Sequence, residues 1–150
     1  MKYHELCPHC DQQITAYTHN INHYMVDALH QLMDYYYRTK KSCNINKDLK
    51  LDHTQMCNLP KLQYFGFIRK VEVGKWYPTQ RGLNFLENKL KVTVPVATLN
   101  NEVLPDNHKA WETHKKPRKE ISVRDIVDTI FEYKGTADYQ KEKSPQEDLI

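Results

Sequence analysis

The stretch Leu59–Leu90, LPKLQYFGFIRKVEVGKWYPTQRGLNFLENKL, decides the fold of this chain. It predicts the apolar end of a helix that stops at Gly66, a residue suited to a helix C-terminus. Two short β-type runs follow, from Phe67 to Val73 and from Lys75 to Tyr77, joined by a basic turn. Pro78 and its neighbours then open a new helix with an apolar face. The order helix, strand, turn, strand, helix predicts a compact α+β unit.

Composition limits the size and class of the protein. The chain has 150 residues, which fits one domain or one domain with an appendage. A hydrophobic content of 39% and a mean hydropathy of −0.80 support one modest core. No run approaches the roughly 18 apolar residues of a membrane span, and the N-terminus lacks the pattern of a secretory signal. We therefore expect a cytoplasmic protein without a membrane partner.

Charge distribution and cysteine content bear on two kinds of partner, namely nucleic acid and a metal ion. The net charge of +3 is only mildly basic, so local clusters of lysine and arginine matter more than the total. The chain has four cysteines. In a reducing compartment, closely spaced cysteines favour metal binding over disulfides.

The clearest predicted helix covers residues 21–39, where apolar side chains recur at steps of three and four. Asn20 is the predicted N-cap. Residues 44–51, NINKDLKL, predict a short second helix.

A third helix is predicted to begin near His53, with Asp52 as its N-cap, and to end at Gly66. Pro60 interrupts it, because a proline in a helix interior removes a hydrogen bond and costs about 3 kcal/mol. The sequence leaves two alternatives: a kink at Pro60, or a start as late as Asn58.

Two hairpins are predicted on either side of this region. Residues 1–18 alternate loosely between apolar and polar side chains, with the turn Cys7-Pro8-His9-Cys10 at the tip. Residues 92–104 predict a second hairpin with its turn at Asn100-Asn101, because asparagine tolerates positive φ.

The last third of the chain predicts a linker, a helix and a tail. We interpret residues 105–120 as a loop or linker, and their basic run HKKPRK as part of a linker, with a phosphate-binding arm as the alternative. Residues 121–134 predict an amphipathic helix that packs on the domain or meets a second copy of the chain or another protein. Residues 135–150 predict a flexible tail. The predicted domains are a hairpin at 1–20, the helical domain at 21–91, a hairpin, linker and helix at 92–134, and the tail at 135–150.

Residues 21–90 resemble a winged helix-turn-helix domain. The patterns NLPKLQYFGFI and KWYPTQRGLNFL are similar to small winged-helix proteins of bacteria and phages that place a CPxC knuckle before the domain. The resemblance is strongest at Lys61–Gly66 and Pro78–Leu86, and it covers about half of the chain. It implies a winged helix-turn-helix with an N-terminal β-hairpin zinc knuckle and a C-terminal hairpin plus helix. The chain departs from the pattern at Pro60 and in lacking a second CxxC.

Cys7-x-x-Cys10 has the spacing of a zinc knuckle, in which two thiolates converge from one turn. A strand of seven residues and a helix of 18 have similar lengths, about 23 and 27 Å, so the knuckle is expected to return near Cys43. We expect one structural zinc held by Cys7, Cys10, Cys43 and Cys57, with His53 as the alternative to Cys57. The competing interpretation makes Cys57 a small buried apolar residue and Cys43 an idle thiol.

In winged-helix proteins the third helix enters the major groove, and the wing touches the backbone or the minor groove. Glutamine and asparagine can pair with adenine edges, lysine can reach guanine or phosphate, and tryptophan offers a stacking plane. The residues predicted to contact nucleic acid are Thr54, Gln55, Asn58, Lys61 and Gln63 on the helix, Arg69, Lys70, Lys75 and Trp76 on the wing, and Arg81 at the next helix start.

The resulting functional hypothesis is a regulatory DNA-binding protein with a structural zinc, active alone or as a homodimer. The alternative is a protein-binding adaptor or inhibitor, phage-derived and directed at a host factor, that uses the same domain as a docking surface. We predict no enzymatic activity, because the chain has only four glycines, no glycine-rich phosphate loop, and none of the GxSxG, HExxH or kinase motifs.

Overall fold

The computed structural model describes residues 1–129 and 131–133, and the described chain is an α+β protein with two compact units. Unit 1 comprises Met1–Asn20 with Thr93–Glu120, and unit 2 comprises Ile21–Val92 with the chain from Ile121 onward. The predicted tail, 135–150, lies outside the described residues.

In chain order the elements are β1 (His4–Leu6), β2 (Gln13–His19), α1 (His23–Thr39), β3 (Cys43–Asn44), α2 (His53–Asn58), β4 (Ile68–Glu72), β5 (Lys75–Pro78), α3 (Gln80–Leu86), β6 (Val92–Val94), β7 (Val96–Leu99), β8 (Glu102–Val103) and β9 (Lys119–Ile121), with 3-10 segments at Leu59–Phe65, Lys109–Thr113 and Val123–Asp125.

Unit 1 contains a four-stranded antiparallel sheet in the order β1-β2-β7-β8. The predicted N-terminal hairpin is confirmed, since β1 pairs with β2 and the CPHC turn lies between them. The predicted turn at Asn100-Asn101 is also confirmed, with φ angles of 52° and 65°. Strand β2 pairs with β7, so the predicted hairpin at 1–20 and the predicted segment at 92–134 contribute strands to one sheet.

The segment 105–120 belongs to unit 1, so the linker interpretation is wrong, although much of the segment is loop as the alternative had it. Ala110 is fully buried in a small core with Ala16, Ala97 and Leu104. The indole of Trp111 donates a hydrogen bond to the carbonyl of Pro105 over 3.2 Å. These contacts hold the segment against the sheet.

In unit 2, α1 confirms the predicted amphipathic helix but begins two residues later than its expected cap implied. Asn22, rather than Asn20, is the N-cap, and its side chain accepts a hydrogen bond from the backbone N–H of Met25 over 3.0 Å. The buried face contains Leu29, Leu32 and Met33, each fully excluded from solvent. This face forms one wall of the unit 2 core.

The predicted helix at 44–51 is wrong. Strand β3 and a series of turns occupy this region. The side chain of Asn44 accepts a hydrogen bond from the N–H of Asn46 over 3.0 Å, and the N–H of Asn44 donates to the Asp48 carboxylate over 2.8 Å. Short polar side chains that bond to the nearby backbone compete with helix formation.

A three-stranded antiparallel sheet in the order β3-β5-β4 covers another side of the unit 2 core. The first residues of β5 pair with β3, and the register between β4 and β5 shifts between Lys70 and Glu72. This shift is a β-bulge, which adds a residue to one strand and changes the direction of its side chains.

Helix α3 packs directly on the chain that enters β4. A Cβ atom on Gly82 would lie 2.6 Å from the carbonyl oxygen of Phe67, so only glycine fits without movement. The hydroxyl of Thr79, the N-cap of α3, donates to the carbonyl of Gly66 over 2.5 Å and accepts from the N–H of Gly82 over 3.1 Å. Phe67 stacks on Phe85 with ring centroids 4.7 Å apart.

The predicted hairpin at 92–104 and the predicted helix at 121–134 both need correction. Val92–Val94 pairs with β9, so β7 and β8 alone form the hairpin. The described residues after Ile121 form one 3-10 turn at Val123–Asp125 and no α-helix, while Ile130 and Lys134 lie outside the description. The β-branched residues here disfavour a helix, and the N–H of Phe131 instead donates to the carbonyl of Leu86 over 3.3 Å.

Candidate nucleic-acid interface and cysteine positions

Helix α2 begins at the predicted cap. The Asp52 carboxylate accepts from the N–H of Gln55 over 2.8 Å, and the Gln55 side chain accepts from the N–H of Asp52 over 3.2 Å, which completes a capping box. The helix is short because Pro60 cannot continue the α pattern. The chain changes to a 3-10 helix at Leu59–Phe65, with the proline in its first turn, and ends at Gly66 with φ of 79°. This resolves the conflict that Pro60 posed in the sequence.

One face of α2 and its 3-10 continuation points to solvent. Thr54 and Lys61 are exposed, and Asn58 is half-buried between them. The spacing of four and three residues places these side chains in one row along the helix axis. Gln63, also predicted as a contact, is half-buried. The row Thr54-Asn58-Lys61 carries two hydrogen-bonding side chains and one cation, and we name it the α2 row.

Gln55 does not belong to this exposed row, so the prediction that it is exposed is wrong. Its side chain is 7% exposed. The amide nitrogen donates to the Asp27 carboxylate over 2.9 Å and to the carbonyl of Tyr24 over 3.1 Å. Sequence spacing alone gave no signal of this, because the partners lie about 30 residues earlier in α1.

The β4–β5 hairpin carries less free charge than its sequence predicts. Lys70 is exposed, but the ammonium of Lys75 pairs with the Glu72 carboxylate over 3.4 Å. The guanidinium of Arg69 lies over the Tyr77 ring at 5.6 Å, and its Nε is buried without a hydrogen-bond partner among the described residues. Lys70 is therefore the cation on this hairpin that is best placed for a phosphate.

Two valines of this hairpin are exposed, and neither was among the predicted contact residues. Val73 at the tip is 88% exposed and Val71 is 45% exposed. Val71 falls within the register shift between Lys70 and Glu72, so strand alternation alone does not predict its direction. The sequence VEVG places Val73 directly before the turn glycine, and this position could have predicted an exposed valine at the tip.

Trp76 and Arg81 have structural positions, contrary to their predicted role as contacts. Trp76 is 4% exposed in the central strand β5, so its ring is not available for stacking on a base. The Nε of Arg81 donates to the carbonyl of Phe65 over 2.8 Å, and burial lowers the pKa of the guanidinium. Arg81 is thus a cation that satisfies the end of a 3-10 helix.

The four cysteines are divided between the two units. Cys7 and Cys10 flank the tip of the β1–β2 hairpin, where the N–H of Cys7 donates to the carbonyl of Gln12 over 2.8 Å. A hydrogen bond from the backbone of His9, followed by one from the Cys10 side chain, lowers the pKa of the Cys7 thiol. This favours the thiolate, the form that binds metal.

The two cysteines of unit 2 differ in exposure. Cys43 is 1% exposed in β3, and burial raises the pKa of its thiol to about 12, with the Asp48 charge as a smaller cause. Cys57 is exposed, and its Sγ lies 3.6 Å from Nε2 of His53, as expected for residues four apart on a helix. Within residues 1–129 and 131–133, no three His, Cys, Asp or Glu side chains form a metal-binding group. The four-cysteine zinc site, with His53 as the alternative to Cys57, therefore stays a prediction.

No helix in the described part of the chain combines the length and apolar character needed to cross a membrane. Comparison with known proteins gives no family assignment: no protein-family profile matches the sequence, and no curated protein or solved structure shows significant similarity to it.

Proposed function

We propose that unit 2 is a winged helix-turn-helix that binds duplex DNA, with the α2 row in the major groove and Lys70 at the backbone. Three features support this proposal. The order of elements from α1 through the sheet β3-β5-β4 is compatible with such a domain, provided that the turns after β3 replace its second helix. The other two are the distribution of charge and the exposure of the α2 row.

The charge of the chain is concentrated in one region. Residues 21–92, the first segment of unit 2, contain twelve lysines and arginines against six aspartates and glutamates, a formal net charge of +6. Residues 121–150 contain four against seven, a net charge of −3, and the whole chain carries only +3. A domain that contacts phosphates needs such a local excess, because its affinity comes largely from the release of counterions. This concentration of positive charge is the observation that carries the proposal.

The exposed row gives the proposal its geometry. Thr54 and Asn58 present a hydroxyl and an amide that can hydrogen-bond to base edges, and Lys61 presents an ammonium that can reach guanine or phosphate. The buried Gln55 and Trp76 take no part in it. The corrected interface is therefore smaller than the one that the sequence suggests, and it favours modest sequence specificity with a strong dependence on salt.

Binding of a labelled mixed-sequence duplex of about 20 base pairs, followed by fluorescence anisotropy from 50 to 200 mM salt, tests the proposal. We expect the double variant K61Q/K70Q to weaken binding and to reduce the log–log salt slope by about 2. The control K41Q/K91Q removes the same charge from two exposed lysines outside α2 and the β4–β5 hairpin. Absence of binding at low salt, or equal losses in both double variants, contradicts the proposal.

The exposed valines of the β4–β5 hairpin favour a second function, in which this hairpin docks on another protein. Val71 and Val73 offer apolar surface beside the exposed Lys70. An adaptor or inhibitor of this kind is expected to capture one partner in a stoichiometric, nuclease-resistant complex. The variant V71S/V73S should abolish that capture while leaving DNA binding within about twofold, since it removes no charge. Loss of DNA binding together with capture would count against a separate docking role.

A further inference from the structure

Unit 1 contains a cleft with a volume of about 330 Å³. The end of β2, the β6–β7 junction and the basic segment His114–Lys119 line it. The lining side chains used below are Thr18, Asn20, Pro95, His114, Lys116 and Lys119. A cleft of this size holds a phosphate group together with a small organic substituent.

The cleft is electropositive. Lys116 and Lys119 contribute two ammonium groups, and no carboxylate belongs to its lining residues. Neither lysine has an ion-pair partner in the described part of the chain. Two unpaired cations on one small concave surface attract an anion more strongly than the same charges on a flat surface, because the walls exclude part of the solvent.

The segment that carries these lysines is fixed by Arg118. Its guanidinium lies 3.9 Å from the centroid of the Trp111 ring, its Nε donates to the carbonyl of Pro95 over 3.0 Å, and its Nη1 pairs with the Asp106 carboxylate over 2.7 Å. A cation held by three contacts orders the chain on both sides of it. Binding at Lys116 and Lys119 therefore does not require the backbone of the segment to become ordered first.

The pKa of His114, which lines the cleft, is affected by the charges around it. Its pKa is lowered first by burial and then by three positive groups, the N-terminal amino group, Arg118 and Lys116. Part of this lowering of the pKa comes from Lys116, which also lines the cleft. This agrees with the arrangement of the lysines.

We propose that the cleft of unit 1 binds a phosphate group through Lys116 and Lys119. The hydroxyl of Thr18 and the amide of Asn20 are the neutral donors available beside the two lysines. A free phosphate monoester and a phosphodiester of a nucleic acid share this chemistry. The inference is independent of DNA binding by unit 2, since every residue that it uses belongs to unit 1.

The test is a titration of the ¹⁵N-labelled 150-residue chain, followed by amide chemical shifts. The probes are inorganic phosphate, adenosine monophosphate and a single-stranded decanucleotide, each compared with sodium chloride at matched ionic strength. We expect shifts at the amides of residues 18–20, 114–116, 118 and 119. The variant K116Q/K119Q should weaken binding about tenfold, a loss that corresponds to two charge-assisted contacts.

The matched control is K115Q, which removes a neighbouring exposed lysine that does not line the cleft. It should weaken binding less than about twofold, the range for a long-range surface charge. Saturation by inorganic phosphate or the mononucleotide identifies a small-molecule site, and shifts with the oligonucleotide alone identify a phosphodiester site. The proposal is overturned if no probe shifts these amides, if chloride reproduces the shifts, or if K115Q weakens binding as much as the double variant.

Discussion

The side-chain amide of Gln55 donates to the carboxylate of Asp27 over 2.9 Å and thereby fastens α2 to α1. The same nitrogen donates to the carbonyl of Tyr24, and the amide oxygen accepts from the N–H of Asp52. One residue therefore caps α2 and attaches it to the core helix. This attachment fixes the direction in which the α2 row faces.

Replacement of Gln55 by alanine is expected to lower the free energy of unfolding by about 2 kcal/mol, because it removes half of the capping box and leaves its partners unsatisfied. Urea unfolding measures this loss. The control Thr54→Ala changes an exposed neighbour and should stay within about 0.5 kcal/mol of the parent protein. For DNA binding we expect Thr54→Ala to weaken it without a loss of stability, because Thr54 belongs to the α2 row. Equal stabilities of the two variants would contradict the assigned role of Gln55.

Thr79 joins α3 to the start of β4 through its hydroxyl, and the side chain is fully buried. Thr79→Val keeps the shape but removes the hydroxyl, which leaves the carbonyl of Gly66 and the N–H of Gly82 without their partner. We expect a loss of about 2 kcal/mol in the free energy of unfolding. Thr79→Ser retains the hydroxyl and should lose clearly less. A valine variant as stable as the serine variant would show that the hydroxyl bonds contribute nothing.

Gly82→Ala tests the close approach of α3 to Phe67. In an ordinary helix this change stabilises by up to about 1 kcal/mol. Here the added Cβ meets the Phe67 carbonyl oxygen at 2.6 Å, so we expect a loss of about 1–3 kcal/mol instead. Thermal unfolding gives the sign directly, with Asn84→Ala in the same helix as the control. A stabilised Gly82→Ala protein would mean that α3 does not approach the chain this closely.

Local signals in the sequence predict where the elements begin and end. Asp52 before α2, Gly66 after the 3-10 helix and the Asn100-Asn101 turn all act through their own backbone or that of residues three or four away. Such effects depend only on short stretches of sequence, and for this reason these boundaries could be predicted. Asn22 in place of Asn20 shows the usual error of one or two residues.

Features that depend on distant parts of the chain were not predicted. The pairing of β2 with β7 joins residues about 80 positions apart, and the burial of Trp76 follows from the central position of β5 between β3 and β4. The sequence of residues 121–134 has helical periodicity, yet the described residues of this range form a 3-10 turn at Val123–Asp125, and the N–H of Phe131 donates to the carbonyl of Leu86. Tertiary contacts override local preference at these positions.

The zinc prediction has a direct test in the metal content of the purified protein. If Cys7, Cys10, Cys43 and Cys57 share one structural ion, elemental analysis should give about one zinc per chain, the stoichiometry of a closed tetrahedral site. Cys7→Ser should abolish it, and Cys43→Ser should reduce it as strongly. Zinc that survives Cys43→Ser but not Cys7→Ser would restrict the site to the hairpin tip. If the parent protein, purified without chelator, contains no zinc, the predicted zinc site is wrong.

In the metal-free protein, the burial of Cys43 predicts a slow reaction with alkylating reagents and a decline of stability at high pH. Burial raises the pKa of this thiol to about 12, whereas an unfolded chain has a value near the ordinary ~8.5. Between these two values the unfolded state binds fewer protons than the folded state, so the free energy of unfolding falls as pH rises. Raised pKa values of Tyr35 and Tyr37 act in the same direction, so Cys43→Ala should make the decline less steep without removing it.

With iodoacetamide at pH 8, followed by mass spectrometry, the exposed Cys57 should react within the time in which Cys43 stays unmodified. Equal rates for the two thiols under native conditions would place Cys43 at the surface and contradict its position in β3.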